Sequence, residues 1–442
     1  MESISRRSLL KAAGGIVAAA GAMTGGSLFL DGCAPAVNTG ATKTLNFWAF
    51  TDTRIAWQKK AWEMYKKEKN PDFEINWVIF PYQQMHDKIL ITAQAQSGGP
   101  DIADIEISQF ARFIKGDIIF ADLTPKIQQM GLLDKMYRPS ATDPWSWQGK
   151  IYGIGNELNT CLLSYRWDLW QKAGVKVPID SWDQLAEEAK RYHQDTGKYL
   201  ISFAAQDWGH WFLQTQQQKG GFFNERGEPT MNSAQGIKTL AYQQQAMRDG
   251  WATARPIADV AFYSALGEGS IGSLIGASWS FSGGVQENIP DSKGKWHLQP
   301  LPYWEPGGSR TGTLGGTGVS VLKTSPNVEE AIDFVLYEHS TSQALLQDFS
   351  IRQVWPTYRP AFDDPVLGQA LAFFDNQQVG ALIKEMSPEM NPWYNSPFWP
   401  EATSTCVRLG ITPALQQTNI SPQDALTAAQ EETKRTIAFE SA

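Results

Sequence analysis

Apolar and polar residues follow two periodicities, that of a strand and that of a helix, in the first part of the chain after residue 44. Leu45 to Phe50 is a compact apolar run typical of a buried strand, and Phe73 to Ile79 alternates apolar and polar positions as a half-buried strand does. Arg54 to Lys69 has apolar residues at helical spacing. A second helix is predicted over Tyr82 to Ala95, and a third strand over Asp101 to Ile107. This alternation predicts an α/β fold with a largely parallel sheet.

The same reading places further helices along the chain. Ser181 to His193 carries a capping box at its start, and a proline at the first helical position predicts a helix from Pro326 to His339. Ser421 and the proline after it predict the start of a terminal helix. The glutamine-rich stretches around Gln216 and Gln243 are predicted to be solvated helix faces.

Polar and aromatic residues follow each of the first three strands. In open α/β sheets, ligands bind beyond the carboxyl ends of the strands. Here those ends are Phe50 to Thr53, Phe80 to Gln83 and Glu106 to Gln109. The pattern therefore predicts a ligand site that is built from these three segments.

The first 33 residues have the pattern of an export signal. Arg6 and Arg7 begin a twin-arginine motif, an uncharged apolar run from Ala12 to Leu30 follows, and Leu30 to Cys33 resembles a lipoprotein cleavage box, from which Asp31 departs. The alternative is an uncleaved anchor helix, although the run is rich in Gly and Ala. We expect export, lipidation of Cys33 and a short tether before the first strand. The mature protein is then held at a membrane surface.

Composition restricts the kind of partner. The chain has 442 residues, a formal net charge of −8 and a pI near 5.3, which argue against a nucleic-acid surface. Besides Cys33, only Cys161 and Cys406 remain, and two isolated buried thiols are favoured over a disulfide. The 18 tryptophans are predicted to lie mostly in the core, with a minority available to line a groove.

Catalytic and metal-binding motifs are missing from the sequence. It contains no GxSxG, HExxH, phosphate-loop or calcium-loop pattern, and its five histidines have no metal-ligand spacing. We therefore expect no cofactor and no metal. Asp104 and Glu106 lie two apart on one strand face, so carboxylate-pair chemistry stays open as an alternative, with hydrogen-bonding roles favoured.

Several stretches in order carry a resemblance to a known family. The chain resembles the extracellular solute-binding proteins of carbohydrate ABC importers, the family 1 group that includes the maltose-binding protein. Order and spacing make the resemblance specific, and it covers nearly the whole mature chain. The matching stretches are LNFWAF (45–50), SGGPDIADIE (97–106), GKIYGIGNE (149–157), YRWDLWQKAGVKVPIDSWDQL (165–185) and GGTGVSVLKTSPNVEEAIDFVLY (315–337).

The resemblance implies a two-lobed periplasmic-binding-protein type II fold with discontinuous lobes and a hinge. The chain should cross between the lobes near Gly155 to Glu157, near Gly308 to Thr313 and near Trp355. The expected division is an export signal over 1–33, a tether over 34–43, a first lobe of 44–155 plus 311–355, and a second lobe of 156–310 plus 356–442.

The resemblance also implies a set of ligand-binding residues. Tryptophans among them are expected to stack on sugar rings, with core packing as the alternative for each, and Asp52 has the alternative role of a helix N-cap. Ile105 stands where the maltose-binding branch has an aromatic residue, so that stacking ring is missing. The implied set is Phe50, Asp52, Thr53, Tyr82, Glu106, Ser108, Gln109, Glu157, Asp207, Trp208, Trp279, Gly316, Arg352 and Trp399.

These observations together predict a lipid-anchored, non-enzymatic and monomeric receptor outside the cytoplasm. It is expected to bind a sugar, most simply an oligosaccharide, in the cleft between the lobes and to deliver it to the permease of an ABC transporter by hinge closure. One alternative is a receptor for another polyol-like solute such as a glycerophosphodiester. Another is an exported glycosidase or lyase that uses Asp104, Glu106 or Glu157.

Overall fold

The computed structural model describes residues 43–257, 259–417 and 419–440. Arg6, Arg7 and Cys33, on which the export and lipidation predictions depend, lie outside the described residues. Within the described part, no helix is both long and apolar enough to cross a membrane. The same part of the chain contains no group of three His, Cys, Asp or Glu residues able to hold a metal ion.

The strands are named in chain order. They are β1 (Lys43–Ala49), β2 (Phe73–Ile79), β3 (Ile102–Glu106), β4 (Ser146–Trp147), β5 (Lys150–Ile151), β6 (Ile154–Gly155), β7 (Leu162–Arg166), β8 (Ser273–Gly276), β9 (Trp296–Pro300) and β10 (Thr317–Val321).

The helices are named in the same way. They are α1 (Asp52–Lys69), α2 (Tyr82–Ala95), α3 (Ile107–Phe110), α4 (Thr124–Gln129), α5 (Arg138–Ala141), α6 (Trp167–Lys172), α7 (Trp182–Thr196), α8 (Gly209–Gln216), α9 (Ala234–Arg248), α10 (Val260–Glu268), α11 (Gln286–Asn288), α12 (Val328–Ser340), α13 (Ser342–Arg352), α14 (Val379–Met386), α15 (Trp399–Thr405), α16 (Thr412–Gln416) and α17 (Pro422–Glu440). Trp279–Val285 and Cys406–Ile411 are π-helical.

Two larger sheets organise the described chain, and β4 and β5 form a separate two-stranded antiparallel hairpin. The first has the strand order β2-β1-β3-β10-β6, in which β1 runs parallel to β2 and β3, while β10 runs antiparallel to β3 and β6. The second has the order β8-β7-β9 and is antiparallel throughout. The parallel start of the first sheet is confirmed. The largely parallel arrangement was predicted for this first part of the chain, and β10 departs from it by pairing antiparallel with both β3 and β6.

Three chain segments connect the two sheets. Residues 156–161 run from β6 to β7, residues 301–316 run from β9 back to β10, and residues 353–357 leave the helix α13, which packs on α1. The first and third segments pair at Glu157 and Pro356, and the first and second pair at Thr160 and Thr313. The exact limits of two discontinuous lobes stay a prediction.

The first helix packs as its sequence periodicity predicts. α1 buries Ile55, Trp57, Ala61, Trp62 and Tyr65 along one face, as the helical spacing of apolar residues predicts. The helix begins at Asp52 with Thr51 as its N-cap, so the N-cap role considered for Asp52 is wrong. In α7 the Ser181 hydroxyl accepts a hydrogen bond from the backbone N–H of Gln184 at 3.1 Å, and the predicted cap is confirmed.

The glutamine-rich stretches were predicted wrongly. Gln214 and Gln243 are fully buried, and the Gln243 Nε2 donates to Gln214 Oε1 at 2.6 Å. Gln216 Oε1 accepts from the backbone N–H of Thr313 at 2.7 Å, so α8 holds one of the connecting segments. The amide oxygens of Gln214 and Gln216 thus have partners, whereas their Nε2 groups have none among the described residues. Periodicity alone does not reveal such partners.

Of the remaining predictions of local structure, two are confirmed and one is shifted by two residues. The terminal helix begins at Pro422, as predicted, and Ser421 Oγ accepts from the Asp424 N–H at 3.3 Å. The helix predicted from Pro326 begins two residues later, at Val328. Cys161 and Cys406 are both free and buried, which confirms that they do not pair.

A buried ionic network lies where α1, β3, the first connecting segment and α13 meet. Arg54 donates to Asp104 through Nε at 2.8 Å and Nη2 at 3.1 Å, and through Nη1 to Asn156 Oδ1 at 3.2 Å. Asn156 Nδ2 donates to Asp348, which also binds Arg352 through two bonds of 2.6 and 2.8 Å. Side chains from four separate parts of the sequence are thus fixed against each other.

Removing one member of this network should be strongly destabilising. Arg54→Met leaves Asp104 fully buried with one amide donor, Gln58, and no cation. We expect a loss of about 3–5 kcal/mol in the free energy of unfolding, because an uncompensated buried charge remains. Chemical denaturation of both proteins measures it. Lys66→Met, which removes an exposed ion pair with Glu63, is the control and should cost less than about 1 kcal/mol. Equal losses in the two variants would contradict the argument.

Candidate functional site

Five of the predicted residues come together at the ends of β1 and β3. We name Phe50, Tyr82, Glu106, Ser108 and Gln109 the acid–tyrosine cluster. Tyr82 Oη and the Ser108 N–H each donate to Glu106 Oε2 at 2.9 Å, and the Ser108 hydroxyl donates to the same oxygen. Gln109 Nε2 donates to Tyr82 Oη at 3.1 Å, and the Phe50 ring lies edge-on to the Tyr82 ring at 5.2 Å. The cluster therefore presents its polar groups in fixed positions beside an aromatic ring.

Burial raises the pKa of Glu106, and its hydrogen bonds with Ser108 and Tyr82 act in the opposite direction. Burial also raises the pKa of Tyr82, which keeps the hydroxyl protonated as a donor. The pair Tyr82 and Glu106 thus combines a neutral donor with a carboxyl acceptor.

His86 supports this cluster from behind and was missed in the sequence. Its ring lies 5.7 Å from the Phe50 ring, its Nδ1 lies 2.7 Å from the Tyr82 carbonyl oxygen, and its Nε2 lies 3.3 Å from the Glu106 N–H. Burial lowers the pKa of His86 to about 4, so the neutral ring donates through Nδ1 and accepts through Nε2. The available signal was its place one helical turn after Tyr82.

Asp52 and Thr53 lie in the first turn of α1, directly after the Phe50 bend, and both are exposed. Their position beside the cluster follows from the short turn between β1 and α1. Asp104, by contrast, is fully buried under Arg54. The carboxylate pair of Asp104 and Glu106, which an enzymatic alternative would use, is therefore not presented together to solvent.

Gly316 joins the cluster to the segment between the sheets. The Ile107 N–H donates to the Gly316 carbonyl oxygen at 3.0 Å, which places Gly316 next to Glu106. Its φ is 122°, and a Cβ there would lie 2.2 Å from Asn159 Nδ2. Only glycine fits this position, so its role is close packing of the connecting segments. Asn159 is buried, and its Oδ1 has no hydrogen-bond partner among the described residues.

Trp279 and the turn from Asp207 to Gly209 lie beside the neighbouring residue Leu314. Trp279 Nε1 donates to the Leu314 carbonyl oxygen at 2.9 Å, and its half-buried ring contacts the segment at Gly315. Asp207 Oδ1 accepts from the Gly209 N–H at 2.6 Å, and burial raises the pKa of Asp207. Trp279 and the turn that holds Asp207 and Trp208 thus lie near 314–316, and the acid–tyrosine cluster reaches the same segment through the Ile107–Gly316 hydrogen bond.

Trp399 requires a correction, because it offers no free ring face. It is 2% exposed and stacks on Trp393 with ring centroids 4.4 Å apart. Its edges meet Trp208 and Phe222 at 6.0 and 5.0 Å. The expected stacking ring is therefore part of an aromatic core, in agreement with the core-packing alternative. Trp208, which meets this core at its edge, is half-buried.

Glu157 and Arg352 are close to each other and belong to the buried network. Arg352 Nη1 donates to Glu157 Oε2 at 3.2 Å, while its other nitrogens bind Asp348. The Glu157 side chain is 5% exposed. Arg352 shares its charge between two carboxylates and positions Glu157, while its direct contact with a ligand stays a prediction.

The arrangement combines fixed hydrogen-bonding groups with half-buried aromatic faces. Each hydroxyl of a ligand left without a partner costs about 1–3 kcal/mol, so a polyhydroxylated ligand needs many convergent polar groups. Aromatic faces supply apolar contact area for its C–H groups. The two arginines of the network are both engaged with carboxylates, which leaves neither free to bind a phosphate.

Comparison with known proteins identifies relatives of the whole chain. Residues 50–337 match the family described as bacterial extracellular solute-binding protein. An arabinooligosaccharide-binding protein of Bacillus subtilis is 29% identical over 422 residues, which are 92% of this chain and 96% of that protein. One from Halalkalibacterium halodurans is 27% identical over 402 residues, 89% of each chain.

Solved structures agree on the fold. The sugar-binding protein MalE from Xanthomonas citri matches with a TM-score of 0.73 at 18% identity, over 90% of this chain and 100% of that chain. The expected two-lobed periplasmic-binding-protein type II fold is confirmed by this likeness.

Three buried histidines should make stability depend on pH. Burial lowers the pKa of His86 and His210 to about 4 and of His339 to about 3. The unfolded chain binds protons at these histidines below about pH 6.5 while the folded chain does not, so stability falls as pH falls through that value. Each histidine should lower the free energy of unfolding by about 2 kcal/mol at about pH 5.

Urea unfolding at neutral pH and at about pH 5 measures this loss. His210→Gln should reduce this pH dependence relative to that of the wild-type protein. An unaltered pH dependence in the His210 variant would contradict the interpretation.

Proposed function

We propose that this chain, which belongs to the family of bacterial extracellular solute-binding proteins, binds a neutral oligosaccharide between its two sheets and delivers it to an ABC transporter. The observation that carries the proposal is the arrangement around residues 314–316. The acid–tyrosine cluster is joined to this segment by the Ile107–Gly316 hydrogen bond, and Trp279 is joined to it by its hydrogen bond with Leu314. A ligand that contacts both groups connects the two sheets.

Arabino-oligosaccharides are the first ligand class to examine. Two curated relatives that match almost the full length of the chain are named arabinooligosaccharide-binding proteins. The polar groups of the site support this class, because carboxyl, amide and tyrosine groups pair well with sugar hydroxyls. A glycerophosphodiester is disfavoured, since Arg54 and Arg352 are both paired with carboxylates.

The proposed mechanism is closure of the two sheets around the ligand. The connecting segments 156–161, 301–316 and 353–357 would form the hinge, and the ligand would stabilise the closed form by contacts that the open form lacks. Glu157 lies in the first of these segments and is held by Arg352 from the helix that precedes the third. We propose that the protein acts as a monomer without catalytic activity.

We further propose export by the twin-arginine route and lipidation of Cys33. The observations that support this are in the sequence: Arg6 and Arg7, the uncharged run after them, and the box that ends at Cys33. Two acyl chains at this residue would hold the protein at the membrane stably, whereas one chain would not.

Trp279 is expected to contribute a large part of the binding energy. Trp279→Ala removes a half-buried ring beside Leu314, and we expect the affinity to fall at least about tenfold, which corresponds to about 1.4 kcal/mol. Isothermal titration with arabino-oligosaccharides of graded length measures the change. Trp167→Ala is the matched control, because Trp167 is also half-buried and donates through Nε1 to a backbone carbonyl, that of Gly294, at 2.9 Å.

The outcome of this titration separates the candidate functions. Equal affinity of the wild type and the Trp279 variant would show that Trp279 does not contribute to ligand binding. Release of shorter sugars during incubation would favour the enzyme over the receptor. Ligand binding without products, detected also as a ligand-dependent rise in Tm, supports the receptor.

Cys33→Ser should release the protein from the membrane. Since the acyl chains would be attached to this thiol, the variant is expected in the soluble extracytoplasmic fraction. Cell fractionation followed by immunoblotting measures the distribution. Cys161→Ser is the control, because Cys161 is buried in the fold and should leave the protein membrane-associated. Retention of the Cys33 variant in the membrane fraction would favour an uncleaved anchor helix.

A further inference from the structure

A second groove lies between the β4–β5 hairpin and two segments of the chain from the side of the second sheet. We name it the Trp147 groove, and its volume is about 790 Å³. The hairpin is fixed to the first sheet because Trp145 Nε1 donates to the Ile105 carbonyl oxygen at 3.0 Å. The groove shares no residue with the candidate site. It is lined by Arg138, Asp143, Ser146, Trp147, Gln148, Gly149, Glu225, Arg226, Gly227, Pro392, Trp393, Tyr394 and Asn395.

Specific hydrogen bonds build the two walls of this groove. The Asn395 side chain is nearly buried, and its Nδ2 lies 2.9 to 3.3 Å from the carbonyl oxygens of Asp143, Pro144 and Ser146. Tyr394 Oη donates to Glu225 Oε1 at 3.0 Å, which fixes the orientation of the ring. The walls are therefore held in place before any ligand arrives.

Gly227 lies across the groove from one edge of the Trp147 ring. Gly227 has a φ of 74°, and a Cβ at this position would come to 4.0 Å from the Trp147 ring. A larger side chain would therefore begin to fill the space over the indole. Trp147 and Tyr394 are both half-buried, so each offers part of a flat ring to the groove.

Both arginines that line the groove are paired with carboxylates. Arg138 pairs with Asp143 at 3.2 Å, and Arg226 pairs with Glu228 at 2.8 Å. Because each guanidinium already has a carboxylate, the groove has no unpaired arginine to attract an anion. Flat aromatic rings together with amide, carboxyl and guanidinium groups suit a neutral ligand that carries hydroxyls on an apolar ring.

The groove continues into a neighbouring recess of about 440 Å³. The two share Glu225, Arg226 and Tyr394, and the recess adds Phe223 and Asn224. An elongated, open depression of this kind accommodates successive units of a chain, whereas a single small molecule would be enclosed more fully.

From this geometry we propose that the Trp147 groove is a second carbohydrate site, which binds a neutral glycan chain along Trp147 and Tyr394. It is separated from the candidate site by an aromatic layer. Trp393 lines the groove and stacks on Trp399, and Trp399 in turn meets Trp208 of the candidate site. The second site does not depend on the ligand proposed for the first.

Affinity gel electrophoresis with soluble arabinan, a neutral polysaccharide, tests this proposal. The wild-type protein should be retarded by the polymer, and the double variant Trp147→Ala, Tyr394→Ala should have a dissociation constant at least about tenfold higher. Trp279→Ala, which is changed only in the first site, should be retarded like the wild type. This pair of variants distinguishes failure of the second site from failure of the first.

Two further measurements keep the test decisive. Thermal unfolding of the double variant should remain close to that of the wild type, because both rings are only half-buried; Trp147→Phe, which keeps a flat ring, should retain most of the retardation. The proposal is overturned if the wild type migrates unretarded in arabinan and in a second neutral polysaccharide, galactan. It is also overturned if the folded double variant is retarded as strongly as the wild type.

Discussion

The buried ionic network of Arg54, Asp104, Asn156, Asp348, Arg352 and Glu157 is the constraint on which the site depends. Removing charges from water is costly, and their mutual attraction offsets that cost only when hydrogen-bonding geometry is nearly complete. Here each arginine binds a carboxylate through two nitrogens. Glu338 is buried nearby, and burial together with the charge of Asp104 raises its pKa well above the ordinary range, which avoids a further negative charge.

Candidate ligand residues are sequence neighbours of this network or, in the case of Glu157, belong to it. Asp52 and Thr53 directly precede Arg54, Glu106 follows Asp104 on the same strand face, and Glu157 follows Asn156. The network therefore positions the ends of β1 and β3 relative to the first connecting segment. The groups at these strand ends are thus held in place by the buried side chains of the network. Such rigid support improves the precision of a site.

Much of the fold follows from patterns within one short window of sequence. The strands β1 to β3 and the helices α1, α2 and α7 have strong periodicity and clear end signals, and they form where predicted. The predicted exposure of Gln214 and Gln216 was wrong because their partners, Gln243 and Thr313, lie 29 and 97 residues away in the sequence. Arg352 reaches Glu157 across 195 residues of sequence, so its positioning role is invisible to local reasoning.

The tryptophans show why composition alone does not locate a binding surface. Trp57, Trp145, Trp211 and Trp399 are among the largest fully buried side chains, whereas Trp147, Trp208 and Trp279 keep part of each ring accessible. In Trp279 the indole N–H is already bound to a backbone carbonyl, so the exposed part of the ring is apolar and rigid. A half-buried ring with a satisfied N–H loses little conformational freedom when a sugar covers it. Partial burial beside fixed polar groups, rather than the number of tryptophans, distinguishes a binding ring from a core ring.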